Sequence, residues 1–269
     1  MASNPSLPAL EPRSKSISAA GQALLLWGAF IIAAVLLNGT LPFLLGRDLH
    51  AWTASPVKDA AFNLVIYGGV FLVAPLVLTK GWETVRQTGF LLPLCLALLA
   101  MTLRTFLRPV AALAVVALAY LHWRFDLSEL GFRSLGWRGN ITAVLAIALL
   151  YFFPRLSQPE AFALDFPGAL TAGLDRLFAN PASTTENLFY FGFLTERLST
   201  RLGRGWTPLL VGLLYMLHEM TNPEYWYEGM FFPTVFVGVA IVAAIYLWRR
   251  NVVAVWLGDG LGRLLSRLI

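Results

Sequence analysis

The sequence predicts an all-α protein, a polytopic membrane helix bundle of about 8–9 transmembrane helices, and three observations predict it. Of the 269 residues, 58% are hydrophobic and only 13% are charged, with a mean hydropathy of +0.68, and a soluble domain carries roughly twice that charge. The apolar residues come in long continuous runs rather than in alternation, and a backbone in lipid must satisfy its own hydrogen bonds, so such runs become helices. The basic residues, net charge +5, fall between the runs on alternate connections, as in a chain that crosses a bilayer repeatedly.

The expected spans lie near 22–45, 60–79, 89–103, 109–122, 140–154, 184–200, 206–221, 230–248 and 251–269. Residues 1–21 read as a flexible tail: they are polar and rich in Pro and Ser, and the apolar run behind them is too long for a signal segment. Segments 89–103 and 109–122, split by Arg104 and Arg108, are shorter than a normal span, so thin-membrane spans and one re-entrant hairpin both fit them. Between spans five and six, "PEAFALDFPGALTAGLDRLFANP" has apolar residues at helical spacing and reads as an amphipathic helix on the outer surface, either a plain connector or a guide for substrate. No internal repeat is visible.

Loop charge sets the orientation. Arg13 and Lys15, Lys80 and Arg86, Arg124, Arg133 and Arg138, Arg197, Arg201 and Arg204, and Arg249 and Arg250 share one side, which the positive-inside rule makes cytoplasmic. "HEMTNPEYWYEGM", with Glu219, Glu224 and Glu228 and no base, then lies outside, its Tyr225, Trp226 and Tyr227 suited to the interface. These dispersed bases form no aromatic-interleaved stripe, so nucleic acid is excluded as a partner; the bilayer is the partner they fit. The single cysteine, Cys95, permits no internal disulfide and reads as lipid-facing or packed. His50 and His122 read as interfacial and structural.

An ionisable group inside a span costs about 2.5–3.5 kcal/mol on insertion scales, so those that remain need a partner or a task. Glu186 opens span six, His218 closes span seven, and Asp259 lies within span nine with Arg263 one turn on. Spans six and seven run in opposite directions, which puts Glu186 and His218 at similar depth, with Asp259 a turn or two deeper. Each residue also has a structural explanation. Ser183 and Glu186 fit a capping box. His218 can satisfy carbonyls at a helix end. Asp259 and Arg263, four apart, can neutralise each other. Their joint occurrence at compatible depth is what makes a site.

The order of "FDLSELGFRSLGW", "TENLFYFGFLTERLSTRLGRGWTPLLVGLLYMLHE" and "FFPTVFVGVAIVAAIYLWRRNVVAVWLGDGLGRLL" resembles the CPBP family (CAAX protease and bacteriocin-processing, Abi-type) of intramembrane proteases. The resemblance covers residues 125–269 as a core domain and leaves 22–124 as an N-terminal transmembrane extension. The family carries Glu-Glu-x-x-x-Arg opening one helix, Phe-x-x-x-His closing the next and His-x-x-x-Asn in the last. Here Glu186 matches the first glutamate, Asn187 replaces the second and Phe191 the arginine. His218 is kept behind Leu214, and Asp259 and Arg263 stand for the last histidine and asparagine.

The resemblance implies an endopeptidase in which Glu186 activates water, with His218 and Asp259 as catalytic partners and Asn187 and Arg263 in support. A second arrangement makes Glu186, His218 and Asp259 ligands of a divalent metal such as zinc, although the Arg263 cation would repel the ion. The implied substrate is a membrane-anchored or exported polypeptide, losing a C-terminal segment, in a bacterial inner membrane. With the N-terminus cytoplasmic, loop charge faces the site toward the periplasmic side. Because half the motif residues differ, the alternative is an inactive membrane scaffold that binds another membrane protein.

Overall fold

In a computed structural model of the chain, the structure describes residues 18–46, 48, 52, 55–101, 107–133, 136–156, 166–179, 182–222, 225, 226 and 231–268. Residues 1–17, His50, Arg104, Glu224, Tyr227, Glu228 and 157–165 of the connector lie outside the described residues. The described residues are mostly helical, with one isolated β-bridge, Phe132 to Asn251, and no strand among them. The helices are α1 (Ala19–Asn38), α2 (Pro56–Lys80), α3 (Trp82–Gln87), α4 (Leu91–Met101), α5 (Leu107–Leu121), α6 (Trp137–Leu156), α7 (Phe166–Leu174), α8 (182–194), α9 (Thr195–Glu219), α10 (Phe231–Arg249) and α11 (Val252–Leu268). Of these, α1, α2 and α10 are each long and apolar enough to cross a membrane, and shorter apolar helices occupy 91–100, 110–121 and 137–152. Cys95 is exposed, and His122 lies edge-on to Trp123 at 4.8 Å.

Local chemistry sets the helix ends. Ser18 Oγ accepts from the Gly21 amide at 3.2 Å and caps α1, and Ser55 with Pro56 opens α2. Gly81 closes α2 at φ 83°, a conformation that costs other residues a Cβ clash. Near the midpoint between residues 186 and 218, Gly203 (φ 68°, ψ −177°) breaks the helical path within α9. Glu186 and His218 nonetheless meet at one end of the bundle, as two antiparallel helical segments require.

The tightest packing comes from glycines that the sequence reading passed over. In "GDGLG", Gly258 and Gly262 are four apart, and a Cβ on them would strike Ile147 and Tyr151 of α6, while one on Gly260 would strike Leu177. Helices approach closely where such small residues face each other, and α6 against α11 is the most extensive helix pair. Gly262→Leu is therefore expected to cost about 1–3 kcal/mol by overpacking, read as a lower melting temperature in detergent. A Gly238→Ala control, where a Cβ meets open space, should move it far less.

At the end opposite Glu186, a charged latch closes the bundle. Glu196, largely buried, accepts from Tyr246 Oη at 2.9 Å and pairs with Arg250 at 3.4 Å and Arg133 at 3.5 Å. Gly131 (φ 80°) lets the Tyr246 hydroxyl occupy the space of a Cβ, and its carbonyl accepts from Val252 N at 2.9 Å. Glu196→Gln leaves two partly exposed arginines without their carboxylate, so a loss of about 1–2 kcal/mol is expected, below the cost of a fully buried break. Chemical or thermal unfolding in detergent measures it.

Candidate functional site

Five stretches carry wider turns with i→i+5 hydrogen bonds: Leu36–Thr40, Asn63–Val73, Asp175–Ala179, Ala182–Glu186 and Leu188–Leu194. Turns of this kind concentrate at functional sites because they re-aim side chains that a regular helix would stack. Four of the five aim a polar side chain at one cavity: Asn38, then Asn63 and Tyr67, then Arg176, then Glu186. The fifth carries Tyr190, whose ring stacks parallel to the His218 ring at 5.7 Å.

The cavity has a volume of about 1130 Å³, and Glu186, His218, Glu219, Tyr151, Tyr215, Arg176 and Arg263 all line it. Its apolar wall is Leu150 of α6 with Val235, Val237, Val239 and Val242 of α10. Lys58, Asp59, Thr221 and Asn222 lie at the end shared by the start of α2 and the finish of α9. Residues 22–124 are thus part of the site: Asn38, Lys58, Asp59, Asn63 and Tyr67 line it, and Phe30 and Phe71 hold His218 from behind.

Glu186 and His218 come together. The imidazole Nδ1 lies 3.2 Å from Glu186 Oε1, with both side chains more than nine-tenths buried. The distance is that of an ion pair, while the ring N–H direction falls outside good hydrogen-bond alignment. Four aromatic rings fix the imidazole: Phe30 edge-on at 4.6 Å, Tyr215 at 5.5 Å, Tyr190 at 5.7 Å and Phe71 at 6.0 Å. Glu186 turns its Oε1 to the neighbouring helix; the Ser183 side chain of the expected capping box lies outside the described residues.

Asp259 sits apart from that pair. It is 1% exposed, does not line the cavity, and accepts from Arg176 Nε at 2.7 Å through Oδ2, while its Oδ1 is buried without a hydrogen-bond partner. The Asp259–Arg263 pairing expected from their spacing is not formed. Arg263 points along α11 to the Tyr151 ring, 6.0 Å away, because α7 and its continuation pack on α11 and deliver Arg176 first. The connector therefore does more than lie on a surface. Ala169 and Gly173 bury against the bundle and Arg176 enters the site. Asn187 is buried beside Glu186 but does not line the cavity.

The metal arrangement is not met by these donors. Among the described residues, no group of three His, Cys, Asp or Glu side chains is placed to hold an ion, and Asp259 is committed to a guanidinium. No hydrolytic step is derived through a metal.

Arg176, Tyr151 and Tyr215 are the residues that sequence reasoning missed. Arg176 had a faint signal: it is the only base in the stretch 166–181, although the adjacent Asp175 offered it an anion without any third element. The tyrosines had none, since the sequence holds eight of them. Tyr151 lines the cavity together with Arg176, Arg263 and Glu186, and the Arg263 guanidinium lies 6.0 Å from its ring. Compared with models of known protein families, with curated proteins and with solved structures, the chain matches none.

Proposed function

We propose that the chain is an integral membrane protein of about eight to nine spans and an intramembrane endopeptidase of the CPBP type, with Glu186 as the water-activating base. The observation that carries this reading is the Glu186–His218 pair, two buried ionisable groups from separate helices meeting at 3.2 Å in the wall of a cavity lined by both polar and apolar side chains. Burying both costs several kcal/mol, and either member would be replaceable by an apolar residue if packing were its whole task.

The chemistry follows from the groups present. The Glu186 carboxylate takes a proton from water, the hydroxyl oxygen bonds to the peptide carbonyl carbon, and the carbonyl electron pair moves onto oxygen. When the C–N bond breaks, the proton passes from Glu186 to the leaving nitrogen. His218 orients the carboxylate and balances its charge. Tyr151, Tyr215 and Arg263 supply donors in the cavity wall for the oxyanion, and Asp259 acts through Arg176 as a positioning residue.

The family resemblance supports a bacterial inner membrane, and loop charge supports a cytoplasmic N-terminus with the cavity facing the periplasmic side. Removal of a C-terminal anchor or sorting segment from an exported or membrane-anchored polypeptide suits that orientation. The test compares the termini of all membrane and exported proteins in producing cells that carry the wild type or Glu186→Gln at equal abundance. At least one terminus should shift. Unchanged termini, with a membrane complex that depends on the chain's presence, give the scaffold reading instead.

A further inference from the structure

We propose that the end of the bundle where α6 begins and α10 finishes binds the headgroup of an anionic phospholipid, with its phosphate between Arg138 and Arg249. The two helix ends touch: Arg249 Nε donates to the Gly139 carbonyl at 3.1 Å, and a Cβ on Gly139 would collide with the Arg249 guanidinium. Glycine at 139 is what lets that cation descend onto the α6 backbone. Arg249 also lies over the Trp248 ring at 4.0 Å, and Arg138 over the Trp137 ring at 5.4 Å.

Charge complementarity selects the occupant. Among the described residues, no carboxylate lies within ion-pair distance of Arg138 or Arg249, whereas the neighbouring Arg133 and Arg250 share Glu196. Two arginines on touching helix ends, Arg249 bonded to the carbonyl of Gly139 and Arg138 preceding that glycine in the chain, with no carboxylate on either, match a phosphate, which takes planar donors from both sides. The tryptophans are 68% and 55% exposed, as rings at headgroup depth are. From each an exposed apolar stripe runs along its helix, Trp137, Ile141, Leu145 and Leu149 on α6, and Trp248, Ala244 and Ile241 on α10. A free anion would use the cations and leave the stripes bare; a phospholipid covers both.

The inference rests on the membrane reading but not on catalysis. The full chain, purified in neutral detergent, is offered phosphatidylglycerol or phosphatidylcholine with the same acyl chains, and bound lipid is counted by native mass spectrometry. Wild type should retain phosphatidylglycerol preferentially. Arg138→Gln should lower its retention about fivefold, and the double variant Arg138→Gln/Arg249→Gln by the square of that, the effect expected of one and two cations at a lipid surface. Arg138→Gln leaves the Arg249–Gly139 bond intact and decides the matter if the double variant misfolds. Arg86→Gln, an exposed arginine paired with Glu83, should change nothing.

Equal retention of the two lipids, full retention by Arg138→Gln, or an equal loss from Arg86→Gln would overturn the assignment. Free glycerol phosphate binding as well as the lipid would also overturn it, leaving a soluble-anion site. A chain that stays dissolved without detergent would sink the membrane reading itself, which the other outcomes leave standing.

Discussion

Glu186→Gln is expected to slow appearance of the shifted terminus by about 10²–10⁴-fold, the usual worth of a positioned general base, with a melting temperature close to that of the wild type. Glutamine fills the same volume and cannot accept the proton. The fold tolerates the change because a neutral imidazole can face a neutral amide, so no orphaned charge need be left in the interior. His218→Ala is the contrasting variant. It removes the same ion pair and also empties a slot among Phe30, Phe71, Tyr190 and Tyr215, so activity and stability should fall together, the latter by about 2–4 kcal/mol as for other large-to-small core changes. Pulse-labelled cells give the rate and detergent melts give the stability. A Glu186→Gln chain that is as stable as wild type and processes at the wild-type rate removes the carboxylate from the mechanism.

The helical class was legible because composition and continuous apolar runs need no tertiary information. The meeting of Glu186 and His218 was legible for a related reason: two antiparallel helical segments joined near Gly203 place their far ends at one level whatever their sideways packing. Which groups pair sideways was hidden. Asp259 and Arg263 have the right spacing on one helix, yet spacing along a helix says nothing about a third element arriving at the same face. Arg176 arrives because Gly173 and Gly260 let the α7 region sit against α11, Leu264 meeting the first and Leu177 the second. The contribution of residues 22–124 was hidden too. The resemblance set them aside as an extension, whereas the rings that clamp His218 include Phe30 and Phe71, whose role depends on helix-to-helix contacts that no local pattern encodes.

The Arg176–Asp259 pair yields the largest expected effect on stability. Side-chain exposures of 17% and 2% and a separation of 2.7 Å put it among buried ion pairs, where removing one partner costs about 3–5 kcal/mol because the other charge is stranded. Asp259→Asn should therefore destabilise strongly by taking the buried carboxylate away from the Arg176 guanidinium, and Arg176→Met should do so by stranding the Asp259 carboxylate. The double variant should recover most of the loss, since two neutral side chains leave no charge without a partner. A thermodynamic cycle in detergent gives the coupling energy directly. The same cycle with Arg263→Met in place of Arg176→Met separates the two pairings: coupling to Arg176 with near-additivity at Arg263 is expected from the geometry. The reverse result would return Asp259 to its own helix neighbour and detach the α7 region from the site. Activity distinguishes positioning from packing: Arg176→Lys keeps the charge but loses the Nε contact, so it should restore most of the stability and only part of the rate.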